Sequence, residues 1–146
     1  IHLLSKMYLG QKARVRTDKT SREFDIMRGT KQGDPLSSLL FNAVLEDIIR
    51  DIWGKWQEKY FGLQLGRRGS DARLTNLRFA DDIMLIAKSC SQLKIMLLDI
   101  KNAAAKRGLT IHSDKTKILC NQQRKKGRTV GQVSIDGLVI EVLPPE

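Results

Sequence analysis

Two adjacent carboxylates, Asp81 and Asp82, lie between the strand-like stretches Leu77 to Ala80 and Ile83 to Ala87, and no other residues in the chain suggest chemistry as directly by type and spacing. Carboxylates side by side repel each other and resist joint ionisation unless a cation shares the site. A pair framed by apolar strand residues therefore points to a divalent metal ion. Mg²⁺ is the natural ion, because it takes one or two protein carboxylates and completes its shell with water and substrate phosphate oxygens. The competing reading is a polar turn, since Asp favours turns for local hydrogen-bonding reasons. On these residues alone both readings stand.

A second segment reads Arg28-Gly29-Thr30-Lys31-Gln32-Gly33-Asp34-Pro35-Leu36-Ser37 and opens into an apolar-periodic run from Leu39 to Trp53. A third reads Gly108-Leu109-Thr110-Ile111-His112-Ser113-Asp114-Lys115-Thr116. With Phe79-Ala80-Asp81-Asp82 between them, these segments resemble the reverse transcriptases (RNA-directed DNA polymerases, a class of nucleotidyltransferase) of non-LTR, LINE-type retrotransposons. That family shows R-G-x-x-Q-G-D-P-L-S, a helix, F-A-D-D inside a hairpin, and then G-L-x-x-x-x-x-K-T. The resemblance runs over nearly the whole chain in the family's order and spacing. It departs at Ser38, where the family often has Pro, and at His112-Ser113, where Asn-Pro is common. Neither departure removes a group that the chemistry requires.

The resemblance implies roles for residues of this chain. Asp81 and Asp82 are expected to hold the metal, Mg²⁺ or alternatively Mn²⁺, of a two-metal nucleotidyl transfer. Gln32 and Gly33, with Arg28 and Ala80, are expected near the incoming nucleotide and template, and Phe79 beneath the nucleotide. Lys115 is expected to neutralise or protonate departing pyrophosphate. Each has a plainer alternative: a tight loop that only launches a helix, a core aromatic on a strand, a solvated surface lysine. The implied partners are an RNA template, a DNA primer and deoxynucleoside triphosphates, and the implied setting is the nucleus or cytoplasm. Two-metal transfer needs at least one more carboxylate. Asp18, Glu23, Asp25 and Asp34 fit that role poorly, so the chain reads as an excerpt, a partial reverse transcriptase domain over residues 1–146 that is expected to be inactive alone. A non-catalytic nucleic-acid-binding relic of the same fold is the second reading, and a two-metal nuclease the third.

Composition agrees. The 146 residues carry 26 Lys and Arg against 16 Asp and Glu, a formal +10, which suits a polyanionic partner. Arg78, Lys12, Arg14, Arg16 and the run Arg124 to Arg128 are candidate phosphate contacts, although charge runs are usually solvated faces. No apolar run approaches a membrane span and no basic helix carries bulky aromatics, so no membrane partner is expected. Cys90 and Cys120 are isolated and read as buried reduced thiols of an intracellular protein, with disulfide pairing the minority reading.

The elements that must position these residues follow from periodicity and punctuation. His2 to Leu9 reads as the end of a helix stopped by Gly10, and Val15 to Thr17 and Glu23 to Met27 as strands about the turn Asp18 to Ser21. Asp34-Pro35 is a strong helix start, since Asp caps free amides and Pro has no amide to leave unpaired. Leu36, Leu39, Leu40, Ala43, Val44, Ile48 and Ile52 then form the expected buried stripe. Lys55 to Arg73 reads as a surface excursion. Ser91 is the expected cap of a second helix with the stripe Leu93, Met96, Leu97, Ile100, Ala103 and Ala104, closed by Gly108. Lys117 to Cys120 reads as a strand, Gln122 to Arg128 as a basic loop, and Val133 to Ile135 with Leu138 to Val142 as a hairpin about Asp136-Gly137. Helices on one face of an antiparallel sheet make an α+β fold. By resemblance this is the palm of a right-hand polymerase with part of the fingers, residues 130–146 leading towards the thumb.

Overall fold

The computed structural model describes residues 2–27, 29–31, 33–66, 70–120 and 131–143. The chain divides into two compact units, residues 1–40 and 41–146.

In the first unit, helix α1 (His2–Tyr8) ends before Gly10, whose φ of +69° is the left-handed conformation that glycine adopts cheaply. Strands β1 (Lys12–Ala13) and β2 (Phe24–Asp25) pair antiparallel, and an isolated bridge joins Arg16 to Thr20. The expected strand at Val15 to Thr17 is therefore corrected to Lys12–Ala13. Ser21 accounts for the shift, because its hydroxyl accepts the Val15 amide hydrogen at 2.9 Å and its own amide bonds the Val15 carbonyl, closing a turn where a ladder was expected.

Helix α2 (Pro35–Glu58) begins where Asp34-Pro35 requires: Asp34 Oδ1 accepts the Leu36 amide at 2.9 Å. It outruns its expected end by a full turn and takes up Trp56, which is fully buried. The buried residues of the second unit's part of the helix are Leu45, Ile48, Ile49, Ile52 and Trp56, whereas Leu39 is 66% exposed and Ala43 and Val44 are also exposed. The expected stripe thus mixed two faces. At about 100° per residue, Leu39 and Ala43 point nearly opposite to Ile48, and a helix apolar on most sides gives periodicity no single answer.

Beyond α2 the excursion is partly ordered, with β3 (Leu63–Gln64) antiparallel to β4 (Arg73–Leu74). Strands β5 (Asn76–Phe79) and β6 (Asp82–Leu85) make a second hairpin. Helix α3 (Cys90–Ala105) is capped by Ser89, whose hydroxyl accepts the Gln92 amide at 3.2 Å; Ser91, the expected cap, lies inside the first turn. Its far end is a Schellman closure, with Leu109 N–H on Ala104 O at 3.0 Å, Gly108 N–H on Ala105 O at 3.1 Å, and Gly108 at φ +73°. A 3-10 turn η1 (Ser113–Lys115) precedes β7 (Lys117–Leu119), and β8 (Gln132–Ile135) turns into β9 (Leu138–Leu143) through Asp136 and Gly137, both at positive φ.

The sheet differs from expectation. The described strands form three separate two-stranded pairs and one three-stranded sheet of order β7-β9-β8, in which β7 and β9 run parallel. The architecture is α+β, with small sheets instead of one antiparallel sheet. The expected basic loop Gln122 to Arg128 lies outside the described residues. Cys90, expected buried, is exposed at the first turn of α3.

The core is α2 against α3, with Ile48, Ile52 and Trp56 clustered with Met96, Ile100 and Ala104. Ile83, Leu85, Leu109 and Ile111 pack on it, while Ile135 and Ile140 join Leu97 in a second cluster. Trp56 donates its indole hydrogen to Asp99 at 2.9 Å, and Arg107 reaches Asp47 and Asp51 at 2.6 Å, so polar contacts tie both ends of the helix pair. Gly62 sits where the chain leaves α2 for β3. Its φ is +82° and a Cβ there would lie 2.3 Å from the Leu74 carbonyl oxygen. Gly62→Ala is therefore expected to destabilise the fold by about 3 kcal/mol, combining left-handed strain with a backbone clash; urea denaturation measures the change.

Candidate active site

The hairpin that carries the carboxylates is placed by alternation. Arg78 pairs with Ile83 and Asn76 with Leu85, so these four side chains share one face. Ile83 and Leu85 pack on the α2–α3 cluster. The opposite face carries Leu77, Phe79, Asp82 and Met84, all exposed. Phe79 is 84% exposed, so it is not a core aromatic.

The turn between the strands is Ala80-Asp81, with Phe79 opposite Asp82. Ala80 has φ +51° and Asp81 is not among the positive-φ residues. A positive φ at the first central position alone is the pattern of a type II′ turn, which ordinarily takes glycine there. Asp81 at the turn and Asp82 at the first position of β6 are both exposed.

Both carboxylates line a groove of about 440 Å³. Its floor is apolar, from Leu45 and Ile48 of α2, Ile83 and Leu85 of β6, and Leu97 and Ile100 of α3. Its far wall is the segment Leu109 to Lys117, which contributes His112, Lys115 and Thr116. That wall is held by a tight turn in which the His112 carbonyl accepts hydrogen bonds from the amides of Lys115 and Thr116 and from the Thr116 hydroxyl. Among the described residues, Lys117 is paired with Glu141 at 2.5 Å, whereas Lys115 has no carboxylate within ion-pair distance. The structure thus brings Asp81, Asp82 and Lys115 to one groove. Among the described residues no three His, Cys, Asp or Glu side chains gather as a metal cluster.

The remaining expected site residues fall elsewhere. Gly33 belongs to the first unit, with φ +85° and open space where a Cβ would lie, so its need for glycine is conformational and not one of close approach. Arg28 and Gln32 lie outside the described residues. Lys12 and Arg14 are both engaged by Glu23, at 3.1 and 2.9 Å.

Arg78, a candidate phosphate contact by sequence, is instead paired with Glu46 of α2 at 2.7 Å. Glu46 also accepts from Arg50 at 2.9 Å. The hydrogen bond from Arg50 first, and that from Arg78 next, hold the Glu46 carboxyl below its ordinary value. Sequence reading passed over Glu46. The available signal was the Glu46/Arg50 spacing of four on a helix, which says nothing of a third partner 32 residues away. His112 is exposed and also lines the groove.

Residues 1–135 match the family model described as reverse transcriptase (RNA-dependent DNA polymerase). The Pol polyprotein of the type-1 retrotransposable element R2 of Popillia japonica is 31% identical over 103 residues, 70% of this chain and 14% of that protein. The corresponding R2DM protein of Drosophila melanogaster is 32% identical over 96 residues, 66% of this chain and 8% of that protein. The R2 protein of Nasonia vitripennis is 33% identical over 104 residues, 70% of this chain and 9% of that protein. The chain therefore spans only a small part of the length of these relatives. No solved structure matches it significantly.

Relieving the hairpin tip tests the strain at Ala80. Ala80→Gly removes the Cβ from a positive-φ position, against the greater unfolded-state freedom of glycine, and the expected net gain is about 1 kcal/mol in urea unfolding. An unchanged or lower stability would mean that Ala80 is unstrained.

Proposed function

This chain belongs to the reverse transcriptase (RNA-dependent DNA polymerase) family, and from that premise we propose that it forms catalytic palm machinery of a non-LTR retrotransposon polymerase, which extends a DNA primer on an RNA template from deoxynucleoside triphosphates. The observation that carries this reading is the juxtaposition of Asp81, Asp82 and Lys115 around one groove. Polar turns do not require a cation opposite the carboxylates or an apolar floor beneath them.

Asp81 and Asp82 fit a divalent cation by donor chemistry: both are hard oxygen ligands, both are exposed to solvent, and Mg²⁺ usually takes only one or two carboxylates from the protein. Mn²⁺ accepts the same donors. Bound there, the ion supplies the positive charge that favours attack of the primer 3′ hydroxyl on the α-phosphate and release of pyrophosphate. Lys115 lines the same groove, and its ammonium is the group that would neutralise a departing pyrophosphate as charge develops. The exposed Phe79 ring shares the outer face with Asp82 and offers apolar surface to a base or sugar. Within the first unit, Gly33 turns the chain ahead of the α2 cap, and its proposed role, like those of Arg28 and Gln32, is nucleotide or template contact; Ala80 carries the same proposed role on the hairpin of the second unit. The chemistry asks for a further carboxylate besides this pair, so the activity is assigned to the longer polyprotein in which such a segment works.

The test uses an R2-type polyprotein carrying this segment. Asp81→Asn keeps side-chain size and removes a charged ligand, so primer extension should fall by about three orders of magnitude or more with folding retained. Extension equal to the parent's would reduce the carboxylate pair to a turn and overturn the reading in favour of a binding relic.

Binding gives an independent check. With a formal charge of +10, the chain should bind RNA, DNA and RNA–DNA hybrid without sequence preference. Affinity should fall on the order of tenfold or more between low and physiological salt, because each counterion released into a saltier solution gains less entropy. Salt-independent affinity in filter-binding or anisotropy titrations would refute charge-driven contact.

A further inference from the structure

The hairpin bearing Asp81 and Asp82 rests on the helices through Ile83 and Leu85. Apolar contact is non-directional, so it holds the hairpin down without fixing how its tip is turned. Among the described residues, one polar side-chain contact joins β5 and β6 to the helices: Arg78 Nη1 to Glu46 Oε2, at 2.7 Å. Arg78 lies three residues before Asp81, separated from the Ala80-Asp81 turn by Phe79 alone. It faces the same way as Ile83, its cross-strand partner, so apolar anchor and ion pair act on one face at one level of the hairpin. Arg50, at 2.9 Å, takes the other oxygen of Glu46 and leaves one carboxylate oxygen aimed at the hairpin.

We propose that Arg78, gripped by a Glu46 carboxylate that Arg50 orients, is a positioning residue for the site: it sets the turn of the hairpin tip on α2 and with it the competence of Asp81 and Asp82 to share a divalent cation. This rests on the reading of the carboxylate pair as a cation site. The Arg78 and Glu46 side chains are 32% and 42% exposed. A pair so open to solvent contributes little to global stability. Its effect on the site is therefore separable from any effect on folding.

Coulomb attraction alone and positioning predict opposite signs for one substitution. Arg78→Met removes a positive charge near two carboxylates, which by charge alone would tighten cation binding. If Arg78 positions the pair, the same change weakens it. The experiment measures Mn²⁺ affinity of the 146-residue chain by water-proton relaxation, with thermal melting in parallel.

Asp81→Asn is the control for the underlying reading and should cost about tenfold in affinity. If the parent binds no Mn²⁺, or if Asp81→Asn matches it, the cation site itself has failed and the positioning role fails with it. With that control satisfied, Arg78→Met should weaken Mn²⁺ binding roughly fivefold to tenfold, as loss of a partner that orients metal ligands does. Glu46→Gln should weaken it similarly, and the double variant should be no weaker than about twofold beyond either single one, because both act through one contact. Arg78→Lys, which keeps the charge and one donor, should stay within about twofold of the parent. Melting temperatures should move by only a few degrees. Binding by Arg78→Met that equals or exceeds the parent's overturns the proposal. Should that variant fail to fold, Glu46→Gln decides: parent-like affinity there overturns it equally.

Discussion

Burial of Ile48, Ile52 and Trp56 on α2 against Met96, Ile100 and Ala104 on α3 is the contact on which the rest of the second unit depends. Large side chains of this kind are each worth roughly 1.5–3 kcal/mol when buried, and such packing of an apolar face supplies most of the stability of helices in proteins. The helix pair presents one apolar surface, and the carboxylate hairpin, the Leu109 to Ile111 segment and the terminal strands all settle on it. Where they settle follows from shape. How they are turned follows from polar contacts at the edges: Asp99 with Trp56, Arg107 with Asp47 and Asp51, Lys101 with the Asp136 turn, and Arg78 with Glu46.

The hairpin tip shows what this body makes possible. Two like charges and a left-handed alanine meet within four residues, each unfavourable in an isolated hairpin. They persist because Ile83 and Leu85 are held by the core and Arg78 is paired with Glu46, so the hairpin that carries the tip is anchored by both contacts. Strain and exposed charge at one point, above a rigid apolar base, is the arrangement expected of a site shaped for a ligand more than for stability. The open face of the same hairpin, with Phe79 and Met84 uncovered, belongs to the same pattern.

Family membership and the site geometry meet at the three segments read from the sequence. Each serves a local structural purpose beside the chemical one proposed for it: Asp34 caps α2, Gly108 closes α3, and the Ala80-Asp81 turn joins β5 to β6. That double use explains why any one motif alone is weak. A helix cap or a Schellman glycine occurs in any fold. What distinguishes this chain is that Asp81, Asp82 and Lys115, carried by two such segments, face one groove.

Much was legible in the sequence by itself because it is governed by neighbours in the chain. The α2 start at Asp34-Pro35, the α3 stripe, its closure at Gly108, the Asp136-Gly137 turn and the carboxylate hairpin all depend on local capping, turn chemistry and period. Errors arose where a distant partner decided the outcome. Trp56 found Asp99 and carried α2 through an expected loop, and β9 took β7 as a parallel neighbour across the intervening chain. The stripe of α2 was misread because that helix is apolar on most sides, and only the position of α3 chose which side to bury. The same holds at the site. Composition and motif singled out the carboxylates and Lys115 as candidates, but that they share a groove, and that Arg78 pairs with Glu46, is a consequence of packing. Residue spacing along a chain specifies local angles, whereas meeting across 32 residues requires the folded core to bring both ends to one place.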